Sequence, residues 1–87
     1  MTSIELNPQE HQATLDAVRY YMKHNISPEV HLAASKALTA LTKRQERGNY
    51  SLTINNQILP LLRVALLTGE KQNPVCKEVF GRLPEKS

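Results

Sequence analysis

The sequence predicts an all-α protein, a small bundle of about four helices, and three observations predict it. Asn7-Pro8, Ser27-Pro28 and Asn73-Pro74 each set a capping side chain before a proline. Asn or Ser accepts a hydrogen bond from a first-turn amide that has no intrahelical partner, and proline at the first helical position loses no bond. Next, the linker "NIS" is too short for anything but a turn between antiparallel helices, and Gly48 suits a left-handed helix stop. Finally, hydrophobic residues make up 40% of the chain and aromatics only 5%, with no Trp and one Phe. A core built from Leu, Ile, Val and Ala favours packed helices. The 87 residues are read as one domain, 1–87, with mobile ends at about 1–6 and 84–87.

The first helix runs from residue 8 to about residue 24. Glu10 stands three residues after Asn7, where its charge favours the positive end of the helix dipole. Leu15, Val18 and Met22 form its core stripe with Tyr21 beside them, while Gln12, Asp16, Arg19 and Lys23 recur on the polar side. The second helix, 28–47, packs against the first as a hairpin through Val30, Ala34, Ala37, Leu38 and Leu41, widened by Ala33 and Ala40. After Gly48, "NYSLTINN" alternates Tyr50, Leu52 and Ile54 with polar residues. A lone strand has nothing to pair with, so the segment is expected to be an extended connection covering the bundle.

The third helix is expected from about residue 56 to residue 68, because proline beyond the first turn costs roughly 3 kcal/mol. A longer helix kinked at Pro60 is the alternative. Its segment "NNQILPLLRVALLTGE" concentrates the aliphatics of the chain. Burial is worth about 1.5 to 3 kcal/mol per large aliphatic residue, so exposing the set would forfeit on the order of 10 to 20 kcal/mol gross. This predicts a central hydrophobic helix, packed on the hairpin and on a short fourth helix that begins at Pro74 and turns Val75, Cys76, Val79 and Phe80 inward. The fourth helix is too short to cover all of the third, and a homodimer is the expected consequence.

Composition narrows the function. A formal net charge of +3 is too small to diagnose nucleic-acid binding. The single Cys76 excludes an intramolecular disulfide and suits a reducing compartment, so the expected location is cytoplasmic. "MTSIELNPQEH" is acidic where a signal peptide is basic, and no run approaches the roughly 20 apolar residues of a membrane span. Catalysis needs a nucleophile and an oriented acid or base, and the candidates are sparse; the chain is read as not an enzyme, with no cofactor. His24, Glu29 and His31 flank the first turn but lack a metal-ligand spacing such as HExxH, and surface histidines are the simpler account. Cys76, in the first turn of the fourth helix, is either a dipole-activated thiol or a buried one.

Candidate contact surfaces remain. Ala13, Ala17 and Tyr20 repeat at helical spacing away from the Leu15 stripe, and form either an interface or a flank of the internal core. Leu62, Arg63 and Leu66 are the matching interface candidates on the third helix. Arg63 is its only mid-helix charge, and lies either on a wet edge or in a groove that binds an anion or a partner. Lys36, Lys43, Arg44 and Arg47 make a basic ridge on the second helix that suits a phosphate backbone, although "GNYSLTINN" is too long for the tight turn of a helix-turn-helix. The expected function is a non-enzymatic protein–protein interaction module, homodimeric, acting as an adaptor, regulator or inhibitor. The alternatives are a nucleic-acid-binding regulator using the basic ridge and a small-ligand binder with a site at a subunit interface.

Overall fold

Asn7 opens the first helix with a reciprocal pair of bonds: its side-chain oxygen accepts from the Glu10 amide at 2.7 Å, and the Glu10 carboxylate accepts from the Asn7 amide at 2.9 Å. This capping box satisfies two backbone donors and starts α1, Pro8–Lys23. The second helix, α2, is Pro28–Glu46. Ser27 occupies its cap position but makes no side-chain capping bond, and the Asn25 side chain instead accepts from the Ser27 amide at 2.9 Å. At the other end Gly48 has φ 73°, a conformation strained for any residue with a Cβ, and the chain reverses there.

The computed structural model describes residues 2–85, and its main departure from expectation is a small sheet. Thr2–Glu5 forms β1 and Ser51–Ile54 forms β2, paired antiparallel with Thr2 opposite Ile54 and Glu5 opposite Ser51. The alternation in "NYSLTINN" is therefore a strand, and its missing partner is the segment expected to be a mobile end. Leu6 continues the ladder, its amide donating to the Tyr50 carbonyl at 3.1 Å, and is itself buried. Of the ends read as mobile, Met1, Lys86 and Ser87 lie outside the described residues.

The third helix, α3, is Leu59–Gly69, three residues shorter at its start than expected. The Asn55 side chain accepts from the amides of Gln57 and Ile58 at 2.9 and 3.0 Å, so a turn occupies the approach. Pro60 falls in the first helical turn, where its missing N–H breaks no bond, and no kink is needed. A similar turn at Asn73, whose side chain accepts from the Val75 amide at 3.1 Å, precedes the two-turn α4, Val75–Gly81.

The four helices pack as a small bundle. α1 touches all three others, α3 and α4 pack together, and α2 reaches α3 only lightly. The core joins Leu15 and Val18 of α1, Ala34 and Leu41 of α2, Leu62 and Leu66 of α3, and Cys76 and Val79 of α4. Leu52 and Ile54 of β2 close it from the sheet side. α1 is buried on two faces because its Ala13–Ala17 side takes the end of α3 and the start of α4. A Cβ placed on Gly69 would stand 2.9 Å from the Ala17 Cβ and 3.2 Å from the Cys76 sulfur. Only a glycine permits that approach. Among the described residues no helix is long and apolar enough to cross a membrane.

Candidate interaction surface

Because α2 and α3 barely meet, their outer faces diverge and leave a groove of about 260 Å³ between them. Tyr21, Val30, Ala33, Pro60, Leu61 and Val64 line it, and Glu29 and Gln57 stand at its mouth. The bundle does not cover this side. Val64 is 44% exposed, Leu67 49% and Leu32 62%, while Leu62 and Leu66 on the inner face of α3 are fully buried. A helix that hides one face completely and leaves aliphatics on the other presents apolar area at solvent, which is where a partner gains contact energy. Ile26, fully exposed in the turn before α2, adds a further apolar tip.

The residues singled out from sequence are distributed differently from expectation. Ala13, Ala17, Leu62 and Leu66 are buried within the single chain. They are core positions and present no surface to a second molecule. The physical reason is that α1 has neighbours on both faces, so its second small-residue face is spent on Gly69 and Cys76. Tyr20 is half-buried and its ring lies 4.2 Å from that of His24, tilted by 43°. The exposed large aliphatics of α3 are Val64 and Leu67, which directly follow Arg63 and Leu66 in the chain.

Arg63 is half-buried on α3. One nitrogen of its guanidinium donates to the main-chain carbonyls of Pro84 at 2.9 Å and Glu85 at 2.8 Å. It thereby fastens the segment after α4 to α3. Arg44 is likewise diverted from the basic ridge, donating to the Ser51 carbonyl at 3.2 Å. Lys36, Lys43 and Arg47 remain exposed on α2. The histidines at the first turn do not converge: His24 stacks on Tyr20, and the His31 imidazole donates to the Asn25 carbonyl. Among the described residues no group of three or more His, Cys, Asp or Glu side chains is placed to hold a metal ion.

The Cys76 thiol is buried, with its sulfur 3.8 Å from the Ala13 carbonyl it donates to. Burial pushes its pKa up, and the negative charge of Asp16 pushes it the same way. The thiolate form that would react is disfavoured.

Two features escaped the sequence reading. His11 is fully buried, and neither ring nitrogen has a hydrogen-bond partner. Its ring meets Tyr50 edge-on at 5.6 Å. Burial drives its pKa below the ordinary 6.5, and the Arg44 charge adds to the effect. The signal was present: residues 11, 15, 18 and 22 share one helical stripe, which puts His11 on the core line of Leu15 and Val18. The second is Arg82, which pairs with the Glu10 carboxylate at 3.1 Å and donates to the Glu5 carbonyl. It ties the end of α4 to the capping box and to β1. Comparison with protein-family models, with curated proteins and with solved structures finds no match to this chain.

Proposed function

We propose that this chain is a non-enzymatic all-α interaction module that binds protein, self-association included, through the α2–α3 face. The observation that carries the reading is the exposure of Leu32 on α2 and of Val64 and Leu67 on α3, with Val64 lining an apolar groove between the two helices. Interfaces place such side chains in a desolvated centre and leave polar residues at the rim, and Glu29, Lys36 and Gln57 supply that rim here. Regulation, adaptation or inhibition would follow from occupying a partner through this face. A photo-crosslinking residue in place of Leu67 tests it in cells. A discrete adduct that disappears on Val64→Asp supports the reading, provided a crosslinker at the exposed Lys77 of α4 gives none. Equal labelling from both positions contradicts it.

The basic ridge supports a second reading, a nucleic-acid contact, through the exposed Lys36, Lys43 and Arg47. Three cations are fewer than the four anticipated, because Arg44 is committed to Ser51. Affinity for a duplex should then be weak, independent of sequence and lost as salt rises. Tight binding to one defined sequence at physiological salt would favour this reading over the first.

A further inference from the structure

Resting on the proposed interaction surface, the inference concerns its occupant: we propose a second copy of this chain, docked with the two α3 helices antiparallel about a two-fold axis. Pro60, Val64, Leu67 and Lys71 fall four, three and four residues apart, so they form one stripe along α3 and its extension. Glu70 keeps helical backbone angles, φ −56° and ψ −34°, which carries the stripe on to Lys71. All four residues are exposed. The stripe reads the same spacing from either end. Turned end for end against itself, it sets Val64 against the partner's Leu67 and Pro60 against the partner's Lys71.

Charge selects this orientation. Pro60 shares the groove with Glu29, which stands at its mouth in the first turn of α2. The partner's Lys71, opposite Pro60, therefore arrives beside Glu29, and the symmetry repeats the pair at the other end. Within the chain the ion pairs among the described residues are Arg19–Asp16 and Arg82–Glu10, so Glu29 and Lys71 are both left without one. An apolar centre with an opposite-charge pair at each end is what an isologous interface requires of one patch. A parallel arrangement would set Lys71 against Lys71 and leave both glutamates unmatched. Arg63 lies to one side of the stripe, held by the carbonyls of Pro84 and Glu85, and does not obstruct it.

Sedimentation equilibrium of the full chain and four variants tests the arrangement, with circular dichroism confirming that each variant is helical. The parent should show a monomer–dimer equilibrium. Val64→Asp should weaken it by about 100-fold or more, since it buries a charge at the centre. Glu29→Lys alone and Lys71→Glu alone should each weaken it by roughly tenfold, and the combined Glu29→Lys/Lys71→Glu chain should recover most of the loss. A dimer lost on Val64→Asp but without charge-swap recovery would overturn the antiparallel pairing while leaving the interaction face in place. A strictly monomeric parent that still crosslinks to another protein from position 67 would overturn the second copy and keep the proposed function. A dimer indifferent to Val64→Asp would overturn both.

Discussion

His11 is a neutral imidazole held where its charged form has no partner, and this fixes a direction for acid stability. Its folded pKa lies below the unfolded value near 6.5, so in acid the unfolded chain binds the proton more readily. The stability due to neutral His11 is complete above about pH 6.5 and falls as pH drops through that value, by up to about 1.4 kcal/mol per pH unit. Chemical denaturation across pH should show this limb, and His11→Leu should flatten it down to the range where carboxylates titrate. Arg63 calls for a different expectation from an exposed arginine. Its two bonds to main-chain carbonyls are charge-assisted, but water competes at a half-buried site. Arg63→Gln should therefore cost about 1 kcal/mol of unfolding free energy. Cys76 should react with a thiol reagent at close to the unfolding rate in native buffer and rapidly in denaturant. His11 was legible in the sequence as a member of the Leu15 stripe. Arg63 was not, because the carbonyls it binds belong to the main chain and leave no mark on residue identity.

Elements were legible where their signals are local. The capping box of α1 is written in Asn7 and Glu10, three residues apart, and the stop of α2 in a single glycine. The sheet was not, because β1 and β2 are joined across the length of two helices and "TSIE" offers one aliphatic residue, Ile4, as its only pattern. Both strands are four residues long, and a two-stranded ribbon of that size depends on the bundle beneath it. The start of α3 was misplaced because the side chain of Asn55 makes a turn that the apolar run conceals. The meeting of α1, α3 and α4 yields the sharpest element-scale expectation. Gly69→Ala should destabilise by about 1 to 3 kcal/mol despite a better helix propensity, because two backbones must separate. Adding Ala17→Gly should recover part of that loss in thermal melts. On the inner side of α3, Leu62→Ala should cost about 2 to 5 kcal/mol through lost burial and a residual cavity.

For the molecule as a whole, the sequence gives up the bundle and the excess of aliphatics on α3, whereas the direction of that excess needs the fold. The inner half, Leu62 and Leu66, is consumed by the core; of the outer half, Val64 lines the groove beside α2 and Leu67 is exposed further along α3. Arg82 and Arg63 hold residues 82–85 against β1, α1 and α3, which leaves the α2–α3 side as the open apolar surface described above. The α2–α3 side is proposed to dock a second copy of this chain. Amide chemical shifts followed from micromolar to millimolar protein test it most directly, since they report each residue separately and need no variant. Concentration-dependent shifts are expected at residues 29–36 and 60–71, with β1, β2 and the start of α1 unmoved. Spectra that do not change with concentration, or shifts gathered around the sheet and Arg82, would contradict it.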